Sequence, residues 1–251
     1  MQLKKIIRET PVIGPLTIKV AHKLGYKRPK NDYTFNRITQ EGESNLTKIQ
    51  NLLNYTKTSE SFYAATNFPA GYHTLTIGGK TFKGRRNPKA RLEKVPFDFT
   101  DKSVLDIGSN QGGMLFELKD DVKWGVGIDY DPRMINAANK IKAVESYQHF
   151  SFYHFNLESD SLELIEDLLP ENKVDIIFLL AVCRWIKNWK EVIRYCAYLS
   201  DTLLIETNGT LLEQEEQIKF VKQLFSKIEV ISLHSVDDPE RNDRQLYLCK
   251  K

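Results

Sequence analysis

Apolar positions change their period near residue 100. Beyond it, short apolar runs alternate with amphipathic stretches, and the pattern predicts strand 103–107, helix 113–120, strand 123–128, helix 132–143 and strand 149–155. Helix 161–169, strand 174–181, helix 187–199, strand 202–206 and helix 211–225 follow. Regular alternation of strand and helix argues a parallel sheet covered on both faces. The chain closes differently. The apolar runs at 227–233 and 245–249 have only the polar stretch Asp237–Asp243 between them, so they should pair antiparallel. The expected fold is α/β, with a seven-stranded, mostly parallel sheet ending in an antiparallel hairpin.

Upstream, the pattern is helical and then alternating. Leu3, Ile6 and Ile7 share one helical face before Pro11, and Leu16, Val20 and Leu24 share another before Gly25. Between 41 and 65, Leu46, Ile49, Leu52, Leu53 and Tyr55 predict two helices broken near 56–58, capping the core. Tyr72–Phe82 alternates on both sides of Gly78-Gly79, a hairpin signal. A short helix from Pro88 to Val95 leads into the first core strand. The chain therefore divides into an N-terminal helical and hairpin extension, 1–95, and a core domain, 96–251.

Composition adds little until charge is placed along the chain. Of 251 residues, 41% are apolar and 27% charged, ordinary for a globular protein. The apolar run Ile176–Cys183 is too short to span a bilayer, and the first eleven residues break off before a secretory h-region forms. Three cysteines without metal-ligand spacing read as buried and reduced, and the expected location is cytoplasmic. The net charge of +3 is uneven: residues 1–30 hold eight cations against Glu9 alone, a net of +7, which leaves −4 for the rest. A basic amphipathic leader suits an anionic partner, such as the inner membrane surface contacted peripherally, RNA, or a phosphorylated acceptor. A solvated basic face without a partner is the plain alternative.

The chemistry is carried by Val104-Leu-Asp-Ile-Gly-Ser-Asn-Gln-Gly-Gly-Met114, a strand running through a glycine turn into a helix. Such a turn lets the backbone approach a ligand at the carboxyl end of a parallel strand. Asp129 closes the second strand about twenty residues on, where a carboxylate accepts from ribose hydroxyls. Tyr130 beside it can cover an adenine face. The alternative for Asp129 is a cap on the helix opening at Pro132. Asp106 stands where it would repel a pyrophosphate, yet it suits the ammonium of an amino acid.

In these motifs the sequence resembles the class I, Rossmann-like S-adenosylmethionine-dependent methyltransferases, over residues 100–251. The resemblance implies S-adenosyl-L-methionine as cofactor and S-adenosyl-L-homocysteine as product. It implies that the turn of Gly108, Ser109, Asn110 and Gly112 bounds the methionine portion and that Asp129 holds the ribose. Asn156 and Leu157 would meet the adenine, with Asn156 where Asp is commoner. The strand-4 motif Asp175–Trp185 would place the residues after Leu180, Arg184 among them, in the cleft toward the acceptor. Tyr72-His73, Lys83-Gly-Arg-Arg86, Arg91 and Leu204-Ile-Glu-Thr207 are further similar to the bacterial tRNA wobble-uridine carboxymethyl transferase group. That likeness nominates Arg85, Arg86 and Arg91 to hold an anionic acceptor or the cofactor's carboxylate.

No metal-ligand cluster is legible, and the Asn/Asp-Pro-Pro-Tyr motif of amino-group methylation is absent from strand 4. A hydroxyl acceptor, or a carboxylate, is therefore the expectation, with His73, His154 and Glu206 as candidate bases for a hydroxyl and Arg86 and Arg184 as further catalytic candidates. His154, between Tyr153 and Phe155 in a strand, reads more readily as core. His73 fits a hairpin surface or an active-site lid equally. The leading expectation is O-methylation of a sugar, glycolipid or small-metabolite hydroxyl. RNA methylation is the runner-up, and a non-catalytic nucleoside-binding subunit comes third.

Overall fold

The computed structural model describes residues 44–59, 68–235 and 244–251. The two amphipathic segments expected in residues 1–30, and most of the second helix expected before 65, lie outside the described residues.

The core is a seven-stranded sheet. β5 (Ser103–Ile107), β6 (Trp124–Asp129), β7 (Phe150–His154), β8 (Ile176–Leu180) and β9 (Thr202–Glu206) are parallel. β10 (Lys227–Ser232) and β11 (Leu246–Lys250) complete it in the order β10-β11-β9-β8-β5-β6-β7. β11 is antiparallel to β10, as expected of the closing pair, and also to β9. Alternate residues feed opposite faces, because strand side chains have a period of two. Leu105, Ile177 and Leu203 enter one apolar layer, and Val104, Phe178 and Leu204 enter the other.

Helices α3 (Gly113–Glu117), α4 (Pro132–Glu145), α5 (Leu164–Leu168), α6 (Trp189–Leu199) and α7 (Leu211–Val221) cover the sheet. Local chemistry fixes their starts. Asp131 caps α4 by accepting from the Arg133 N–H at 2.9 Å, with Pro132 in the first turn. Thr210 and Glu213 form a capping box on α7. The expected strand to 181 stops at Leu180, because Ala181 turns into the left-handed region at φ 59° and a short 3-10 turn, Cys183–Trp185, follows. All three cysteines are free and buried.

The extension contributes α1 (Asn45–Thr56), β1 (Gly71–His73), β2 (Leu75–Ile77), β3 (Lys80–Phe82), β4 (Gly84–Arg86) and α2 (Pro88–Leu92). β2 and β3 form the hairpin expected at Gly78-Gly79. The sequence did not announce that the strands outside it, β1 and β4, pair parallel to each other. Ile49, Leu53, Leu75, Ile77 and Phe82 join the apolar layer of Val104, Met114 and Phe178, so extension and sheet share one core. Among the described residues, no helix is long and apolar enough to cross a membrane.

Candidate active site

The carboxyl ends of β5 to β8 and the extension enclose a cavity of about 400 Å³. Its floor is Asp106 of β5 with Gly108 and Asn110 just beyond it, and Ile128–Asp131 at the end of β6. Phe155–Glu158 form one wall, Leu180–Val182 with Trp185 and Ile186 the other, and Tyr72, His73 and Arg91 of the extension overhang it.

The β5–α3 turn is shaped by its left-handed residues. Gly108 has φ 81°, and a Cβ there would stand 2.7 Å from Val182 Cγ2. The Gly108 and Ser109 N–H groups donate to the Ile128 carbonyl at 2.8 and 3.0 Å, stitching the turn to β6. Asp106 lines the cavity at 2% exposure, and its Oδ2 has no hydrogen-bond partner. Burial, reinforced by the nearby Asp129 charge, pushes its carboxyl up to about 8. An unpaired buried carboxylate oxygen is costly unless a cationic partner arrives. Asp106 therefore fits an ammonium group.

Asp129 is not the helix cap; Asp131 fills that place. Asp129 Oδ2 accepts from the Asn110 N–H and Oδ1 from the Asp131 N–H, both at 2.9 Å. Burial raises its pKa to about 6 against the lowering effect of these two bonds. Each oxygen keeps a second lone pair for a ribose hydroxyl. Tyr130 lies 52% exposed at the cavity rim. Asn156 Oδ1 accepts from the Glu158 N–H at 3.0 Å, so its acceptor is spent on its own turn, while the Leu157 N–H has no acceptor among the described residues. Leu180 lines the cavity directly before the left-handed Ala181.

Two turn residues expected to touch the cofactor stand back from the cavity. Ser109 is fully buried, and Gly112 lies over the Phe152 ring, where a Cβ would come within 2.7 Å of it. Both shape the turn from behind.

Of the catalytic candidates, His73 alone lines the cavity. It is 4% exposed, its Nδ1 has no partner, and burial with the adjacent Arg86 charge lowers its pKa to about 3. Glu206 is instead held by arginines: Arg86 Nη2 donates to both its oxygens at 3.0 Å, and Arg91 Nη2 donates to Oε2 at 2.8 Å. That arrangement corrects its reading as a base, since the carboxylate is an ion-pair anchor outside the cavity lining. Arg86 anchors it and is likewise outside. Arg184 is also outside; its N–H donates to Asn208 Oδ1 at 3.0 Å, and its charge acts on Glu213 of α7. His154 is not core but exposed, because β7 is the sheet's edge strand, and its Nε2 lies 2.9 Å from the Tyr130 carbonyl. Sequence reasoning missed Asp131 and Gln111; the cap position before Pro132 could have exposed the first, whereas nothing local marks the second.

The last strand is inserted antiparallel between β9 and β10, and the cavity lies over the carboxyl ends of β5 to β8. Residues 105–200 match the family model described as a methyltransferase domain. Among solved structures, the chain is similar to the N-terminal domain of EvdMO1 with S-adenosylhomocysteine bound, at a TM-score of 0.54 and 10% identity, covering 70% of this chain and 90% of that one. The same domain in the presence of S-adenosylhomocysteine and D-fucose gives 0.54 and 10%, with coverage of 70% and 89%. Against EvdMO1 itself the TM-score is 0.53 at 12% identity; 70% of this chain is covered, but only 43% of that protein's length. No curated protein matches the sequence. Residues 105–200 thus carry a methyltransferase domain, and the sheet has the fold of a domain solved with S-adenosylhomocysteine bound. The lining fits S-adenosylmethionine: the unpartnered Asp106 Oδ2 could take its ammonium, Asp129 its ribose hydroxyls and the Leu157 N–H an adenine acceptor.

Proposed function

We propose that the protein methylates a hydroxyl group of a sugar, glycolipid or other small metabolite. Bound S-adenosylmethionine supplies an electrophilic methyl on a positively charged sulfur. The chain's own residues orient, exclude water and take a proton. Asp106 and Asp129 fix the two ends of the cofactor, so alignment for in-line displacement is set by the rigid carboxyl edge. Tyr72, His73 and Arg91 shield the overhung side from water. His73 carries the reading for the acceptor: it is a neutral imidazole at the cavity with an unpartnered Nδ1. A weakly basic imidazole suffices, because a hydroxyl becomes strongly acidic as its oxygen forms the new C–O bond.

RNA is the second reading, favoured by Lys80, Lys83, Lys89 and Lys94, all exposed along the stretch from β3 to just beyond α2. The basic residues 1–30 serve either acceptor, bringing the protein to an anionic membrane or to phosphates. One experiment separates these. Wild-type protein, incubated with methyl-labelled cofactor and cell extract, is expected to label the small-molecule or lipid fraction. Label in RNA replaces the acceptor assignment, and label in lipid supports membrane contact through residues 1–30. Alongside it, Asp129→Ala should weaken S-adenosylhomocysteine binding by about tenfold or more in calorimetry; unchanged affinity would remove the ribose role.

A further inference from the structure

Asp129 heads two hydrogen-bonded arms that leave the cavity in different directions and meet again at one helix. From Oδ2 the first arm runs to the Asn110 N–H, and the Asn110 side chain accepts from the Gln111 N–H at 2.9 Å. Gln111 is fully buried and does not line the cavity. Its side chain is spent on the extension: Nε2 donates to Thr56 Oγ1 and to the Ala70 carbonyl, both at 2.9 Å, and Oε1 faces the His73 N–H at 3.4 Å. Thr56 is the last residue of α1. From Oδ1 the second arm runs to the Asp131 N–H, and Asp131 Oδ2 accepts from the Ser59 hydroxyl, three residues beyond α1. Beside it, Arg133 donates to Thr58 Oγ1 at 2.9 Å and lies over the Tyr55 ring.

A glutamine in the middle of a cofactor turn whose amide serves only the extension does not act on the cofactor directly. Thr56 is 1% exposed and Asn110 holds a left-handed φ of 52°, so neither end of the first arm has room to adjust alone. The Asp129 carboxylate, the end of α1 and the β1 strand that carries His73 are thus parts of one polar network, buried along its first arm and part-buried along its second, which responds as a unit. We propose that Gln111 is a positioning residue: together with Ser59 it couples occupancy of the Asp129 site to α1 and β1, so that cofactor binding sets the place of His73 before the acceptor enters. This coupling rests on the reading of the cavity as the S-adenosylmethionine site.

The coupling is linkage between two sites, and it must appear where the cofactor does not reach. α1 contributes no residue to the cavity, so its amides report it. The test is hydrogen exchange of the peptide 45–56 with and without S-adenosylhomocysteine, with calorimetry on the same samples. In the wild-type protein the ligand is expected to slow exchange of α1 by about tenfold. Gln111→Leu and Ser59→Ala should each reduce that gain, and the double variant should abolish it while S-adenosylhomocysteine still binds within about threefold. A merely structural Gln111 would change exchange equally in the free and bound states and leave the ligand-induced difference intact; that result overturns the proposal. Ser59→Ala, half-buried and outside any element, keeps the comparison available if Gln111→Leu does not fold. If the wild-type protein binds no S-adenosylhomocysteine, the cofactor reading falls and the coupling with it. Binding without any change in α1 overturns the coupling alone.

Discussion

At the scale of residues, the site is built from two carboxylates with opposite histories. Asp129 has two backbone donors, whereas the Oδ2 of Asp106 has none. A carboxyl whose folded pKa lies above its unfolded value holds its proton longer in the folded state. Its contribution to stability is therefore lost as pH rises, here from the ordinary carboxylate range through about 8 for Asp106. Ionised Asp106 regains a partner when an ammonium arrives, so ligand affinity should rise over the same window. The ligand-free protein should thus lose melting temperature between about pH 6 and about pH 8.5, and Asp106→Asn should remove most of that loss. A fall of equal size in Asp106→Asn would place its origin elsewhere. Asp129 and the glycine turn were legible because both obey short spacings along one strand–turn–helix unit. The partners of Glu206 were not: Arg86 lies 120 positions away in sequence, and no periodicity encodes such a meeting.

At the scale of elements, the regular strands and helices of the core followed from apolar period, because each buries one face against a layer already defined. What escaped was irregular. The left-handed Ala181 ends β8 early, held by its N–H to the Glu206 carbonyl at 2.9 Å and by Asn208 Nδ2 donating to its own carbonyl at 2.6 Å. The parallel pairing of β1 with β4 escaped too, since hairpin chemistry speaks only for the two strands between them. That pairing depends on Gly84. A Cβ there would stand 2.1 Å from the His73 carbonyl carbon and 2.4 Å from the Thr74 nitrogen, both backbone atoms that cannot swing aside. Gly84→Ala should therefore cost about 3 kcal/mol, at the upper end of overpacking effects, and displace His73 from the cavity. Denaturant melts showing less than about 1 kcal/mol would mean that β1 and β4 are not in contact as described.

At the scale of the whole molecule, the question is how an extension becomes part of an enzyme core. Shared apolar packing accounts for one side, where α1 and the β2–β3 hairpin join the layer of Val104 and Phe178. Charge accounts for the other. Arg86 and Arg91 leave the extension to meet Glu206 at the end of β9, with side-chain exposures of 1%, 5% and 3%. Such a buried cluster need not be more stable than an apolar one, but breaking it on one side strands the other charges. Glu206→Ala leaves both arginines without this carboxylate and should cost about 3–5 kcal/mol. Adding Arg86→Met should return part of that loss, because one of the two buried cations that lost this carboxylate is removed. Because the roof over the cavity rides on the same elements, the damage should reach the site: Glu206→Ala should impair acceptor turnover more than S-adenosylhomocysteine binding, whose Asp106 and Asp129 stand on β5 and β6. Additive losses in the double variant would show that Arg86 and Glu206 do not interact, and the extension would then be held by its apolar face alone.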